Sequence, residues 1–214
     1  EFVKGSIPRH TQFENLRIVV DCAHGSAYKV APLVLKELGA TIIPLSITPN
    51  GKNINENCGA TYPQLMCKKV VEEGAHVGIA FDGDADRVVF ADETGHLIDG
   101  DQIMALIATD WEERGLLKGK GLVATLMSNL GLERYLENRG ISLIRTAVGD
   151  RYVAERMRKE GYNVGGEQSG HVILSDYATA GDGLLTALQV LTVLTSKQKP
   201  ASQVLKLFTS FPQI

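Results

Sequence analysis

The sequence has little of what marks a secreted, membrane-bound or zinc-binding protein. Its three cysteines, Cys22, Cys58 and Cys67, are odd in number and irregular in spacing, which fits neither a disulfide framework nor a zinc site. No apolar run reaches the length that crosses a membrane, and residues 1–10 lack the apolar stretch of a signal peptide. These absences predict reduced thiols in a cytoplasmic protein that has no membrane partner.

An excess of charge of one sign is also missing. The formal net charge is −3, and the sequence has no basic stripe or aromatic RNA-binding motif, which argues against a nucleic-acid partner. Hydrophobic residues make up 44% of the 214 positions and charged residues 22%, as in an ordinary globular protein of one or two domains. The sequence begins without methionine and stops just after a helical pattern, so we expect a piece of a longer protein.

The predicted elements follow the same order twice. Apolar, β-branched runs and helical spacings of apolar residues predict strand–helix–strand–helix–strand in each half, with one more strand after it. The predicted strands are 16–22, 41–47, 75–81, 88–92, 121–126, 141–147, 162–165 and 172–174. The predicted helices are 28–38, 63–73, 101–111, 132–138, 152–160, 184–195 and 202–208. Pro44 predicts an edge or irregular position for the second strand.

This alternation predicts the α/β class, with two tandem α/β domains that each hold a small, mostly parallel or mixed sheet flanked by helices. We assign the domains to residues 1–97 and 98–214. In both, a polar, glycine-rich hexapeptide follows the third strand, at 82–87 and at 166–171. Because ligands of open α/β sheets gather at the carboxyl ends of strands, both hexapeptides are candidate functional loops.

The first hexapeptide, D-G-D-A-D-R at 82–87, which we call the aspartate loop, concentrates negative charge. Asp82, Asp84 and Asp86 alternate along the chain, and each pair would repel by about 1–4 kcal/mol unless a cation lay among them. Oxygen ligands favour a hard ion such as Mg²⁺ or Ca²⁺. A calcium EF-hand is excluded because its sixth position needs glycine and holds Arg87 in this sequence. A solvated acidic turn without a metal is the alternative.

The second hexapeptide, G-E-Q-S-G-H at 166–171, which we call the glutamate loop, carries groups suited to hydroxyl recognition. The Glu167 carboxylate accepts hydrogen bonds and the Ser169 hydroxyl donates and accepts them, so the pair fits adjacent hydroxyls of a sugar. His171 could move a proton near neutral pH and is therefore a candidate for proton transfer. The alternative is a turn whose polar side chains only satisfy the backbone.

Three weaker signals accompany the two loops. Arg87 has the planar fork that binds phosphate, but a salt bridge to the aspartates explains it equally well. The run V-G-D-R at 148–151 fits either a phosphate contact or a helix start with Asp150 as its cap. The run T-A-G-D-G at 179–183 fits a loop that begins a helix.

Together and in this order, the two hexapeptides resemble the α-D-phosphohexomutase superfamily, and the resemblance covers essentially the whole chain. Enzymes of that superfamily have four domains, which carry a phosphorylated catalytic serine, a metal loop, a sugar loop and a phosphate-binding loop in turn. This sequence matches the second and third, and has no T/S-A-S-H-N-P or R-x-S-G-T segment. Segments 125–132, 148–153, 166–174 and 179–183 are similar to the phosphoglucosamine mutase branch, as is Gln168, where phosphomannomutases typically have methionine.

The resemblance implies a site, residue by residue. Asp82, Asp84 and Asp86 would bind Mg²⁺ together with a phosphoserine from another domain, Arg87 would face the transferring phosphoryl group, and His171 would be the proton-transfer group. The residues that it would assign to the substrate are Gly149, Asp150, Arg151, Glu167, Gln168 and Ser169. The implied reaction interconverts glucosamine 6-phosphate and glucosamine 1-phosphate, toward cell-wall precursors, through a hexose or hexosamine 1,6-bisphosphate. The implied partners are a phosphosugar substrate and the remaining domains of a longer chain, and a homodimer stays open by analogy.

Three other functions compete with this one. A phosphomannomutase or phosphoglucomutase would differ only in its preferred substrate. A phosphatase would need a nucleophilic aspartate after the first strand of its domain, whereas the aspartate triplet follows the third strand. A non-catalytic phosphosugar-binding module fits this sequence as it stands, because without the serine loop we expect no mutase turnover.

Overall fold

A computed structural model describes residues 2–213, which form two β-sheets. The strands of the first sheet are β1 (Arg17–Asp21), β2 (Thr41–Leu45), β3 (Val77–Phe81), β4 (Val88–Asp92) and β5 (Leu97–Ile98). The strands of the second sheet are β6 (Gly121–Thr125), β7 (Ser142–Thr146), β8 (Val164–Gly166) and β9 (Val172–Leu174). The helices are α1 (Val30–Glu37), α2 (Gln64–Glu72), α3 (Gly100–Glu113), α4 (Leu130–Glu137), α5 (Asp150–Glu160), α6 (Gly183–Lys197) and α7 (Ala201–Val204).

The two sheets repeat one topology. Their strand orders are β2-β1-β3-β4-β5 and β7-β6-β8-β9, so each of the first four strands has a counterpart in the second sheet. In each sheet three strands run parallel, and the fourth turns back antiparallel to the third. The predicted fold class, two α/β domains with small mixed sheets, is therefore confirmed. The edge position that Pro44 predicted for β2 is also found.

The middle of the molecule is a layer shared by both sheets. Helices α3 and α6 contact strands of each sheet, and they are buried on nearly all sides, as helices that are apolar all round must be. Outer helices cover the opposite faces: α2 packs on the first sheet and α5 on the second. One continuous core of buried side chains runs through both halves. The boundary at residues 97 and 98 stays a prediction, since the core does not divide there.

Most predicted bounds differ from the observed ones by one or two residues, as at the start of α5, and the largest difference is at the end of the last helix. Helix α5 begins at Asp150 and not at Tyr152, because Gly149 serves as its N-cap without a side-chain hydrogen bond. The last helix ends at Val204 and not at residue 208. After Val204, the side-chain amide of Gln102 accepts the N–H of Leu207 (2.8 Å) and donates to the carbonyl of Phe208 (2.9 Å). These two hydrogen bonds replace backbone bonds that a longer helix would make.

The state of the cysteines and the length of the helices can be read directly from the structure. Cys22, Cys58 and Cys67 are unpaired, and burial raises the pKa of Cys22 to about 12, which makes that thiol unreactive. Within residues 2–213, every helix is too short or too polar to cover the thickness of a bilayer.

Candidate functional site

The aspartate loop and the glutamate loop occupy equivalent positions in the two sheets and touch each other. The first joins β3 to β4, and the second joins β8 to β9. The N–H of Val88 donates to the carbonyl of Gly170 (3.1 Å), and Arg87 forms an antiparallel bridge with His171. The two hairpin tips are thus joined backbone to backbone, and the groups that the sequence singled out as two separate motifs form one site.

The aspartate loop is a tight turn with two of its carboxylates near each other. The N–H of Arg87 donates to Oδ1 of Asp82 (3.1 Å), and Ala85 takes a left-handed conformation (φ 63°) to close the turn. Burial raises the pKa of Asp82, and the neighbouring Asp86 carboxylate adds to the rise, while the Arg87 N–H opposes it. Asp84 is exposed. Within residues 2–213, no three His, Cys, Asp or Glu side chains lie close enough together to hold a metal in this conformation.

His171 is the point at which the other motifs meet. Its side chain is almost fully buried, with Nδ1 3.3 Å from Oδ2 of Asp86 and Nε2 3.8 Å from Oδ2 of Asp150. Nε2 also accepts the N–H of Gly181 (3.2 Å), so a neutral ring carries its proton on Nδ1, toward Asp86. The T-A-G-D-G run therefore does more than start α6. It also fixes the His171 ring and, through Gly183 N–H to the Ala85 carbonyl (2.9 Å), holds the aspartate loop.

A cleft of about 460 Å³ opens beside the glutamate loop. Its lining residues are Arg87, Thr125, Met127, Val148, Glu167, Gln168 and Ser169. Arg87 from the first sheet thus faces the same space as Glu167 and Ser169 from the second, as the resemblance implied. Thr125 and Met127 belong to segment 125–132, which carried part of the resemblance, but the sequence assigned them no role in the site. A roomier cleft of about 670 Å³ lies between residues 12–16 and the end of α6, and it includes no residue of either loop.

The V-G-D-R run contributes to the site through its glycine and aspartate. The N–H of Gly149 donates to Oε1 of Glu167 (3.1 Å), and Gly149 adopts φ 128° and ψ 132°, which a side chain would not tolerate. Asp150 lies near His171, as described above. Arg151 points away, pairs with Glu155 (2.9 Å) and is exposed, so the structure does not bring it into the cleft.

The start of α3 anchors the glutamate loop, and the sequence reasoning missed it. The N–H of Gly100 donates to the carbonyl of Gln168 (2.9 Å), and the Gln168 amide donates to Oδ2 of Asp99 (3.3 Å). Asp99 is also the N-cap of α3, where Oδ1 accepts the N–H of Gln102 (3.2 Å). The pattern D-x-x-Q is a capping-box signal and marks this helix start in the sequence.

We expect Gly100→Ala to disturb the glutamate loop selectively. A Cβ at position 100 would overlap the carbonyl of Glu167 and crowd the N–H of Gly170 (2.8 Å), so the loop would have to move. Overpacking of this kind costs about 1–3 kcal/mol, so the hydrogen-exchange kinetics of the backbone amides of residues 166–171 should become about 10- to 100-fold faster. Gly5→Ala is the matched control, because nothing lies within 4 Å of a Cβ there. Equal kinetics for the two variants would show that α3 does not anchor the loop.

Comparison with known proteins agrees with this geometry. Family models of the phosphoglucomutase/phosphomannomutase α/β/α domains II and III match residues 2–95 and 99–211. The chain belongs to the phosphoglucomutase/phosphomannomutase family. The resemblance predicted from the two hexapeptides is thereby confirmed, and the tandem sheets correspond to two successive domains of that family.

Family members with similar sequences are phosphoglucosamine mutases. The chain is 61% identical to that of Rhodospirillum rubrum over 214 residues, which are 100% of this chain and 47% of the relative. It is 58% identical to that of Nitrobacter winogradskyi, of which it covers 48%. The chain therefore spans about half the length of the curated relatives that it matches.

Solved structures of the phosphoglucomutase/phosphomannomutase family share the fold. A family protein from Burkholderia thailandensis superposes with a TM-score of 0.85 at 26% identity, over 97% of this chain and 45% of that one. Aspergillus fumigatus N-acetylphosphoglucosamine mutase, in complex with GlcNAc-6P and magnesium, gives a TM-score of 0.77 at 21% identity, over 98% of this chain and 52% of that one. At that identity the second comparison supports the fold alone.

Proposed function

We propose that the chain supplies the metal-binding domain (residues 1–97) and the sugar-binding domain (residues 98–214) of a cytoplasmic phosphoglucosamine mutase. The whole enzyme would interconvert glucosamine 6-phosphate and glucosamine 1-phosphate through a phosphoserine and a bisphosphate. One observation carries the proposal: Arg87, the last residue of the aspartate loop, lines the same cleft as the glutamate-loop residues. The 61% identity to a phosphoglucosamine mutase over the full chain supports the choice of amino sugar.

The donor set of the aspartate loop fits a magnesium ion. The adjoining carboxylates of Asp82 and Asp86 repel each other, which a cation would relieve, and both offer only oxygen ligands. Mg²⁺ is commonly held by one or two carboxylates plus phosphate oxygens, so two adjoining carboxylates suffice. Asp84 would join the set only after a change of conformation, since within residues 2–213 no three such side chains lie close enough together to hold a metal. When bound, the ion would offset the negative charge of a phosphoryl group.

The chain's own groups would orient the substrate and its phosphate. Arg87 would bind phosphoryl oxygens with its planar fork, and Ser169 would hydrogen-bond a sugar hydroxyl. The Glu167 carboxylate would accept hydrogen bonds from hydroxyls, in an orientation set by the Gly149 N–H. Both ring nitrogens of His171 already face protein groups. We therefore propose that His171 positions the Asp86 carboxylate and does not transfer a proton to or from the sugar.

The position of Asp21 argues against the competing phosphatase function. Asp21 ends β1, the first strand of its domain, where a phosphatase of that kind would have its nucleophile. Its side chain is fully buried, and its two carboxylate oxygens accept the N–H groups of Ala23 (3.0 Å) and Gly59 (2.9 Å). A carboxylate held in this way has no free oxygen with which to attack a phosphate.

Substrate preference tests the choice of sugar. In the intact protein, assayed with Mg²⁺ and a sugar bisphosphate, we expect kcat/KM for glucosamine 6-phosphate to exceed that for glucose 6-phosphate or mannose 6-phosphate at least about tenfold. Such a ratio corresponds to about 1.4 kcal/mol of transition-state discrimination. Equal or better turnover of mannose or glucose phosphate would overturn the glucosamine assignment and leave the metal loop and the cleft untouched.

The 214-residue chain by itself is expected to show no mutase turnover, because the phosphoserine of the proposed mechanism is not in this sequence. The same coupled assay, run on the isolated chain at high concentration, measures this. Addition of the missing domains in trans or in the intact protein should restore turnover. Product formation by the isolated chain at a rate near that of the intact protein would refute the proposal that the catalytic phosphoserine lies in another domain.

A further inference from the structure

The backbone beneath the aspartate loop is unusually strained. Two segments lie there: residues 21–26, from the last residue of β1 to the first of a short 3₁₀-helix, and residues 53–60 before α2. Four of their non-glycine residues adopt positive φ angles, namely Ala23 (53°), His24 (50°), Asn55 (58°) and Asn57 (53°). Such conformations cost of order 1–3 kcal/mol each and persist only where surrounding bonds impose them, which is typical of functional sites.

These two segments hold the aspartate loop by its backbone. The N–H of Ser26 donates to the carbonyl of Gly83 (2.8 Å), and the N–H of Ala60 donates to the carbonyl of Phe81 (2.8 Å). The two carbonyls flank Asp82 in the chain. The approach is so close that a Cβ at Gly25 would overlap Gly83 O and a Cβ at Gly59 would overlap Phe81 O. The position of Asp82 therefore depends on where these two segments lie.

Asp21 ties the two segments to each other. It is fully buried, and its oxygens divide between them: Oδ1 accepts the N–H of Ala23 in the first segment, and Oδ2 accepts the N–H of Gly59 in the second. An ionised carboxylate accepts at both oxygens, whereas an amide has only one acceptor. One backbone hydrogen bond also joins the two segments, since the N–H of Asn55 donates to the carbonyl of Ala23 (2.9 Å).

We propose that Asp21 is a positioning residue for cation binding: by joining these two segments it sets the place of Asp82 relative to Asp86. This inference rests on the proposed metal role of the aspartate loop. Asp21 is not itself a ligand, because it is buried and both of its oxygens are occupied. It acts through the N–H groups of Ser26 and Ala60, which bond to the loop on either side of Asp82.

Cation titration of matched variants tests the proposal. Mn²⁺, observed by electron paramagnetic resonance, replaces Mg²⁺ as the probe, and the protein is the 214-residue chain. In Asp21→Asn, the amide NH₂ would face one of the two backbone N–H donors, so that bond would be lost and a repulsion gained. We expect the Kd for Mn²⁺ to rise about tenfold or more, as is usual when a supporting partner of a metal ligand is removed.

Asp92→Asn is the control. Asp92 is also buried at a strand end, where Oδ1 accepts the N–H groups of Thr94 (2.9 Å) and His96 (3.0 Å). It pairs in register with Val77, at the far end of β3 from the aspartate loop. Both variants should lower the melting temperature, but only Asp21→Asn should weaken Mn²⁺ binding. In hydrogen exchange, the amides of Ser26 and Ala60 should exchange faster in Asp21→Asn than in Asp92→Asn.

The possible results separate the two proposals. If the unmodified chain binds no Mn²⁺, the proposed metal role fails, and the exchange rates of Ser26 and Ala60 alone decide whether Asp21 positions the loop. If Asp21→Asn binds Mn²⁺ as tightly as the control, the positioning role is wrong. Should Asp21→Asn not fold, Ser26→Pro provides the second test. It replaces the N–H that bonds Gly83 with a ring carbon, which must push the Gly83 carbonyl away, and it also removes the serine hydroxyl. The site is the first position of a short 3₁₀-helix, where proline is tolerated. Unchanged Mn²⁺ affinity would again refute the proposal.

Discussion

Asp86→Asn in the intact protein is expected to reduce kcat/KM about 10²–10³-fold while the fold stays intact, as when one group that stabilises transition-state charge is removed. The exchange keeps the shape of the side chain and leaves an oxygen toward His171, whose Nδ1 lies 3.3 Å from the carboxylate. Burial raises the pKa of Asp82 most, and the Asp86 carboxylate adds to that rise, so its removal makes the buried Asp82 carboxylate easier to keep ionised. Activity and stability should therefore change in opposite directions.

Steady-state kinetics at saturating Mg²⁺ and a thermal melt of the same preparation measure both effects. Asp110→Asn is the matched control, since Asp110 forms an ion pair with Arg114 (3.0 Å) on α3 and lines neither loop. It should leave kcat/KM and the melting temperature nearly unchanged. If Asp86→Asn retained a third or more of the original kcat/KM, Asp86 would not belong to the cation site.

Asp101→Asn is expected to stabilise the protein, although it removes a buried, hydrogen-bonded side chain. Burial raises the pKa of Asp101 to about 6 from a usual value of 3.8, against the opposing N–H of Asn129 (2.7 Å). The Ser128 hydroxyl lies nearby and opposes the rise too, but neither Ser128 Oγ nor Asp101 Oδ1 completes a hydrogen bond. A rise of this size lowers the free energy of unfolding by roughly 3 kcal/mol at pH 8. The dipole of α3 offsets a part of this loss, because Asp101 lies in the first turn of the helix.

The sign of the pH dependence follows from that pKa. Between pH 6 and pH 4 the folded chain takes up a proton that the unfolded chain still lacks, so this group stabilises the fold as the pH falls. Asparagine is neutral throughout and can donate to the Ser128 hydroxyl. At pH 8 we therefore expect Asp101→Asn to raise the melting temperature by about 2–10 °C, and the difference to vanish near pH 4.

Melting curves of the two proteins between pH 4 and pH 8 measure this difference. Asp92→Asn is again a suitable comparison, because the Asp92 carboxylate accepts three hydrogen bonds from Thr94 and His96 and its replacement should lower the melting temperature at pH 8. A loss of stability in Asp101→Asn at pH 8 would contradict the expectation and would mean that Asp101 is stabilising as an ion.

Much of the fold and part of the site could be predicted because their signals are local. Strand β4 (Val88–Asp92) and strand β9 (Val172–Leu174) have the predicted bounds, since an apolar run between polar turns defines each of them. The aspartate loop and the glutamate loop were found because their chemistry is contiguous in sequence. Their convergence on one cleft was not predicted, because it depends on contacts between the two sheets.

Other features depend on groups far apart in the chain, and no local pattern reveals them. Gln102 binds the backbone at Leu207 and Phe208, and Asn129 binds that of Phe211 through both its oxygen (2.9 Å) and its nitrogen (2.8 Å). These bonds replace the end of the predicted last helix with an irregular segment. The supporting roles of Asp21 and Asp99 were missed for the same reason, because their partners come from other parts of the chain.

The shared layer of α3 and α6 limits how this chain can be recombined. Both helices follow residue 98, yet each packs on the first sheet as well as on the second. A chimera that took residues 98–214 from another family member would bring two foreign helices against a sheet that is not their own. Transplanting only the residues that line the cleft would leave that interface native. Substrate preference should therefore be easier to transfer by loop grafting than by domain exchange.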